Sequence, residues 1–167
     1  MAPVGLCLAT NTQVMFVQHS VHINRPFEEC SATLARDPRR WFPRLGDQAF
    51  YAVGPRIAGI PFKKQVHVEA GEPVKLGDWF EVPVTWRATY ITGLFPVMVG
   101  KVELVRVGLD MTRLTACGMY EPPLGSLGKH FDDALFHRAA GATVKELAEA
   151  IAKLLESKVA LEQLDPI

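Results

Sequence analysis

The sequence predicts an α+β protein in which one curved antiparallel sheet wraps around a long C-terminal helix. Over residues 45–120 apolar side chains recur at every second position between Gly- and Pro-containing turns, as in half-buried strands. After residue 123 they recur at every third or fourth position, as in an amphipathic helix. Strands joined by short turns pair antiparallel, and the apolar stripe of the helix must then cover the sheet.

The first strand is predicted over residues 12–23. Polar residues alternate there with a set that should share one face, because successive side chains of a strand point to opposite sides. That set is Met15, Val17, His19, Val21 and Ile23. Two short helices are predicted next. Pro26 suits the first position of the first helix, with Glu28 and Glu29 in its opening turn, and an Asp-Pro pair opens the second over residues 37–42.

Five further strands are predicted, over residues 50–53, 61–70, 79–89, 95–107 and 111–120. The last two flank a tight turn at residues 108–110 and should form a hairpin. Pro83 lies within a strand pattern, which argues for a sheet edge or a bulge at that point. Gly100 and Gly118 also fall inside strands, where they are expected to permit strong curvature or close backbone approach.

The final helix is predicted from about residue 127 to residue 159. Leu127, Phe131, Leu135, Leu147 and Ile151 belong to its apolar stripe, and charged residues fill the opposite side. The 167 residues fit a single domain with a core over about residues 12–160. A strongly curved sheet crossed by one helix leaves a void, and that void is the candidate site.

Composition excludes several classes of function. The chain has 18 basic and 18 acidic residues, so it lacks the excess of positive charge that nucleic-acid partners require. No apolar run reaches the roughly 20 residues of a membrane span, and the N-terminus lacks the pattern of a secretory signal. Cys7, Cys30 and Cys117 form no C-x-x-C pair, which favours reduced thiols in a cytoplasmic protein.

Three segments resemble the helix-grip fold of the START and pollen-allergen superfamily, also called SRPBCC, and in particular its bacterial polyketide-cyclase/dehydrase-like branch. They are residues 21–29 (VHINRPFEE), 37–43 (DPRRWFP) and 120–128 (YEPPLGSLG), the last followed by Phe131, Asp132 and Asp133. The third is the most specific, and the resemblance extends over about residues 14–155. It implies a curved sheet gripping the C-terminal helix, and a fold whose members bind lipids, sterols, polyketides or plant hormones.

The expected ligand is an apolar small molecule or a lipid, held between the sheet and the C-terminal helix. The strand and helix patterns predict that inward-facing side chains line this cavity. They are Val17, His19, Val66, Val82, Val84, Trp86, Met98, Leu104, Tyr120, Phe131 and Leu135. The indole N–H of Trp86 then needs a buried partner or a ligand oxygen, although ordinary packing is the stronger expectation for its ring.

His19 is the candidate catalytic residue, since a histidine titrates near neutral pH, but a structural role with a backbone partner is favoured. The five histidines show no metal-ligand spacing, so no metal and no cofactor is expected. Binding without catalysis is therefore the favoured function. A polyketide cyclase or dehydratase and a protein-interaction module remain as alternatives, and a homodimer is left open.

Overall fold

The computed structural model describes residues 14–36, 56–57, 60–61, 66–88, 97–121 and 133–157. Within these ranges it contains eight strands and two helices. The strands are β1 (Met15–Ile23), β2 (Arg56–Ile57), β3 (Ile60–Pro61), β4 (Val66–Ala70), β5 (Val74–Leu76), β6 (Trp79–Ala88), β7 (Met98–Arg106) and β8 (Thr112–Tyr120). The helices are α1 (Phe27–Ala35) and α2 (Asp133–Glu156). None of the described helices has both the length and the apolar character needed to cross a membrane.

Six of the strands form one antiparallel sheet in the order β1-β8-β7-β6-β4, with β5 also pairing with β6. The hairpin predicted around residues 108–110 is confirmed, because β7 and β8 pair in continuous register from Met98 opposite Tyr120 to Arg106 opposite Thr112. The amides of Val107 and Gly108 both donate to the Met111 carbonyl, at 3.0 and 3.1 Å, and close the turn. β2 and β3 pair separately.

Pro83 lies where two short strands share one side of β6. β4 pairs with β6 as far as Ala70 opposite Val84, and β5 resumes the pairing with Val74 opposite Glu81. The Gly71 amide donates to the Pro83 carbonyl at 2.8 Å between them. The N–H and C=O of a strand residue point toward the same neighbour, so the N–H that proline lacks faces this interruption. A proline is tolerated here because no ladder hydrogen bond is lost.

Helix α2 runs along β1 in the same direction and packs mainly on the inner face of β1 and β8. At its start the His137 ring lies near the Tyr120 hydroxyl, and at its end Glu156 accepts a hydrogen bond from the Asn24 amide at 3.4 Å. Twenty helical residues span about 30 Å, as do the nine residues of β1. The matched lengths let one apolar stripe cover the strand. Its buried members are Ala140, Val144, Leu147, Ala148, Ile151, Ala152 and Leu155.

Helix α1 closes the end of the sheet where β5 and β7 lie on either side of β6. Pro26 is its N-cap residue rather than its first helical residue, so the helix begins one residue later than predicted. Phe27, the first helical residue, is fully buried. The Lys75 ammonium and the Arg106 guanidinium each lie 5.2 Å from the centre of the Phe27 ring. Glu28 binds both cations through its two carboxylate oxygens, the Arg106 contact being 2.8 Å. Cation–π contacts and ion pairs therefore fasten α1 to the sheet.

Several predicted elements lie wholly or partly outside the described residues. The second short helix and the strand over residues 50–53 fall there entirely. The strand predicted over residues 61–70 is described as the end of β3 and as β4, with residues 62–65 outside. The predicted final helix corresponds to α2, which the structure describes from Asp133 to Glu156.

Candidate functional site

At the end of the sheet opposite α1, one corner of the inner face combines large side chains with two glycines. Trp86 on β6, Met98 on β7 and Tyr120 on β8 lie side by side in register. The next inner-face positions along β7 and β8 are Gly100 and Gly118, which also face each other. We call these five residues the Trp86 corner.

The two glycines leave room for the large side chains beside them. A Cβ atom added at Gly118 would lie 2.6 Å from Met98 Sδ and 3.4 Å from Trp86 Cζ3. Trp86 and Gly118 belong to strands on either side of β7, so the indole reaches across β7 to the glycine. A side chain at position 118 would displace Met98 and press on the Trp86 ring.

Gly100 has a different role, because its own backbone approaches the neighbouring strand. A Cβ atom there would lie 1.9 Å from the Cys117 carbonyl oxygen and 2.7 Å from the Gly118 Cα atom. Such distances are far below van der Waals contact, so β7 and β8 can take this path only with glycine at position 100. The predicted close backbone approach at Gly100 is therefore present, and it shapes the floor of the Trp86 corner.

The indole nitrogen of Trp86 is buried, and the described residues supply no hydrogen-bond partner for it. The side chain is only 3% exposed, and none of the acceptors in the described part of the chain lies within hydrogen-bonding distance of Nε1. A buried donor left unpaired costs about 1–3 kcal/mol. Such groups are rare in folded proteins, so each one calls for a physical explanation. Here the donor belongs to a side chain surrounded by apolar residues on the concave side of the sheet.

Tyr120 connects the same corner to the surface. Its side chain is buried, and its hydroxyl oxygen lies 3.5 Å from Nδ1 of His137, a long hydrogen bond whose direction depends on the imidazole tautomer. The side chain of His137 is exposed at the start of α2. The pair therefore provides a hydroxyl and an imidazole that could relay a proton between solvent and the inner face.

Apart from His19, the side chains predicted to line the cavity fall into three groups. Buried on the inner face are Val17, Val82, Val84, Trp86, Met98, Leu104 and Tyr120. Val66 and Leu135 are described by their backbone alone, and Phe131 lies outside the described residues. Of the buried set, the structure brings Trp86, Met98 and Tyr120 together, whereas Leu104 lies three inner-face positions further along β7, toward α1.

His19 is half-buried on the inner face and lies opposite Ala116, two inner-face positions away from the row of Tyr120. Within the described part of the chain no hydrogen bond to its ring is found. His137 is a functional candidate that the sequence does not single out, and the structure places its ring beside the Tyr120 hydroxyl. No local pattern indicates this contact, because it depends on how α2 folds back onto β8.

The two thiols within the described residues do not add a nucleophile to the site. Cys30 is a buried residue of α1, and Cys117 is half-buried on the outer face of β8. Burial raises the pKa of both thiols, so the protonated form, which is a poor nucleophile, predominates at neutral pH. Within the described residues, no group of three or more His, Cys, Asp or Glu side chains is placed to hold a metal ion.

The outer face carries an apolar patch at the same end of the sheet. Its members are about half exposed: Val14, Phe16, Val97, Val99 and Met119. A pocket of about 460 Å³ opens there, lined by Val14, Val97, Val99, Met119, Tyr120 and Glu121. It lies mainly on the convex side, so it is distinct from the enclosed cavity expected between the sheet and α2, which stays a prediction.

The sequence matches no family model and no curated protein. Among solved structures, the chain is similar to Ara h 8.0201, with a TM-score of 0.51 and 11% identity over 86% of this chain and 98% of that one. It also aligns with the Zhui aromatase/cyclase from Streptomyces sp. R1128 (TM-score 0.47, 14% identity, 88% and 96% covered). A third match is norcoclaurine synthase from Thalictrum flavum (TM-score 0.49, 14% identity, 93% and 94% covered).

At such low identity, the structural similarity to Ara h 8.0201 establishes the fold and leaves the function open. The antiparallel order of the sheet and the helix lying along β1 agree with that similarity. The chain has the helix-grip fold, as its sequence predicted.

Proposed function

We propose that the protein binds a hydrophobic small molecule or a lipid between the inner face of the sheet and α2, with the Trp86 corner forming one end of the site. The observation that carries this proposal is the unpaired N–H of Trp86 in an apolar, buried setting. A ligand oxygen would complete that hydrogen bond, and apolar side chains with a few placed polar groups are typical of small-molecule sites.

Dye binding and native mass spectrometry test this proposal together. The dye ANS should bind the native protein and be displaced by fatty acids or flat polycyclic compounds. Protein purified without removal of lipids should carry an additional mass in native mass spectrometry. Absence of both signals from folded protein would refute the proposal.

A matched variant separates the inner site from the outer pocket. Met119 is about half exposed on the convex face and lines the outer pocket, so Met119→Ser should leave the affinity for the displacing compounds unchanged. A large loss of affinity in Met119→Ser would place the ligand on the outer face instead.

The pairing of Tyr120 with His137 favours a second candidate function, an enzyme of the polyketide cyclase or dehydratase type. In that case Tyr120→Phe and His137→Gln should each lower turnover of a test polyketide by about 10²–10⁴-fold, the usual contribution of a general acid or base. His19→Gln tests the catalytic candidate that the sequence indicated. Since no hydrogen bond to its ring is found among the described residues, it should leave turnover unchanged and shift stability by about 0.5 kcal/mol at most.

The apolar patch on the outer face favours a third candidate, a protein-interaction module. Exposed patches of this kind mark contact surfaces in many soluble proteins. Sedimentation of the wild type and of Phe16→Ser would separate a homodimer that uses this patch from a monomer. A monomeric wild type that also binds a ligand would favour the first proposal.

A further inference from the structure

The chemistry of the Trp86 corner restricts the kind of molecule that it would accept. An indole N–H donates a hydrogen bond and cannot accept one, so the missing partner must be an acceptor. The inner-face neighbours of Trp86 in the sheet are Val68 and Met98 on the paired strands, Val84 along β6 and the two glycines, and these residue types have no side-chain oxygen. Among the described inner-face residues of the sheet, Trp86 is the one with a buried polar side-chain atom left unpaired.

The acceptor should also be uncharged. A carboxylate buried in an apolar site is stable only beside a cation or several hydrogen-bond donors. Of the described lysine and arginine side chains, Lys75 and Arg106 are bound to Glu28 at the opposite end of the sheet. Arg25 pairs with Glu29 at that same end. Lys101 lies on the outer face and pairs with Glu81 and Glu103. Among the described residues of the Trp86 corner, the unpaired group is a single neutral donor.

We infer that Trp86 Nε1–H donates a hydrogen bond to the carbonyl oxygen of a neutral, otherwise apolar ligand, so that the site selects ketones and similar carbonyl compounds over hydrocarbons of the same shape. This inference rests on the proposed function. The hydrogen bond would convert an unpaired buried donor into a paired one, and a hydrocarbon of equal size would leave it unpaired.

Fluorenone and fluorene provide the matched pair of probes. The two molecules share one flat tricyclic skeleton and differ by a carbonyl in place of a methylene group. Affinities for both are measured by equilibrium dialysis on the wild type and on Trp86→Phe, which removes the N–H and keeps an aromatic ring. The ratio of the fluorenone to the fluorene association constant should fall by about fivefold in the variant, the size of one net hydrogen bond. Comparing ratios cancels the different solubilities of the two probes.

Trp79→Phe is the control. Trp79 begins the same strand but lies on the outer face, with its ring 5.8 Å from the Lys101 ammonium. The same substitution at that position should leave the ratio of affinities unchanged. A fall in the ratio that is equal in both variants would overturn the inference, since the effect would then be indirect.

Spectroscopy of the wild type supplies a readout that does not depend on the stability of any variant. In ¹H–¹⁵N spectra, the indole proton of Trp86 should move downfield with fluorenone and not with fluorene. If both probes bind, with no such shift and no change of ratio in Trp86→Phe, the inference is wrong and the proposed function stands. If neither probe binds the folded wild type, the proposed function and the inference that rests on it both fail.

Discussion

Two parts of the inner face are both buried, but they differ in whether their polar atoms have hydrogen-bond partners. Under α2, the faces of β1 and β8 meet a stripe of apolar helix residues that includes Val144, Leu147 and Ile151, and all three are fully buried. At the Trp86 corner, a mainly apolar environment surrounds a donor for which the described residues supply no acceptor, on a floor that two glycines hold open. The first arrangement packs apolar helix residues on an apolar sheet face, and the second contains a buried donor whose hydrogen bond is still to be made.

This difference shows that burial alone does not separate a structural core from a binding site. Both regions are hydrophobic core by burial, and both remove apolar area from water. The unpaired donor is what separates them, because stability alone gives no reason to keep a polar atom buried and unpaired. If the comparison holds, substitutions in the two regions should have different consequences for stability and for ligand selection.

The largest effect is expected from Gly100→Ala, which alters the floor of the Trp86 corner. The new Cβ would lie 1.9 Å from the Cys117 carbonyl oxygen, so β7 and β8 would have to separate locally. We expect a loss of about 4 kcal/mol or more in the free energy of unfolding, within the range of the most damaging single substitutions. Urea denaturation followed by circular dichroism measures it.

Gly141→Ala is the matched control in the region of α2. A Cβ at Gly141 meets nothing within 4 Å, and alanine is the better helix former. The substitution should stabilise the protein by about 0.5–1 kcal/mol. Equal tolerance of alanine at the two positions would mean that the close approach of β7 to β8 does not hold in solution.

Leu147→Ala should have the next largest effect. Leu147 is fully buried on the stripe of α2 that packs on β1 and β8, so its truncation removes apolar contact and leaves a cavity. Losses of this kind amount to about 2–5 kcal/mol. Thermal and urea unfolding measure the loss, and the fluorenone-to-fluorene ratio of the surviving folded protein should stay that of the wild type. A changed ratio would extend the binding site beneath α2.

Trp86→Phe should change the stability of the ligand-free protein by less than about 1 kcal/mol. The smaller ring loses packing, but the unpaired donor disappears with its cost of about 1–3 kcal/mol, and the two effects oppose each other. Urea unfolding of the ligand-free variant measures the balance. A loss as large as that of Leu147→Ala would mean that Trp86 is a structural core residue of the ordinary kind and would remove the contrast between the two regions.

The smallest effect concerns α1, which covers the inner face at the end opposite the Trp86 corner. A hydrogen bond from Lys75, together with the charge of Arg106, lowers the pKa of the Glu28 carboxyl below its ordinary value. The folded protein therefore binds this proton less readily than the unfolded chain. The resulting stabilisation is present above the ordinary pKa of a glutamate and disappears as the pH falls through the lower pKa of the folded state.

Glu28→Gln should accordingly be less stable than the wild type at pH 6.5, and the difference in urea midpoint should shrink toward zero as the pH is lowered to 3. The contact is exposed, so the difference should be small. Glu149→Gln is the control, because Glu149 is an exposed residue of α2 with a single, longer contact of 3.8 Å to Lys145. A pH-independent deficit in Glu28→Gln would contradict this account.

The order of elements, the β7–β8 hairpin and the inward face of each long strand could all be predicted from the sequence. Alternation places Val82, Val84 and Trp86 on one side of β6 whatever the neighbouring strands do, since the period of a strand is a local property. Spacing likewise predicted α2 and its apolar stripe. Gly100 and Gly118 could be marked as unusual, because glycine within a strand is itself a local signal.

The site could be predicted only in outline, because its decisive features are relations between distant segments. Whether the Trp86 N–H has an acceptor depends on what β7 and β8 place around the indole, and the sequence allowed either outcome. The contact between Tyr120 and His137 joins residues 17 positions apart through the path of α2. Pro83 was recognised as disruptive, but the break between β4 and β5 that accommodates it is a matter of strand pairing. The sequence determined each segment and its apolar side, because those follow from local periodicity, and the tertiary structure decided which polar groups remain without a partner.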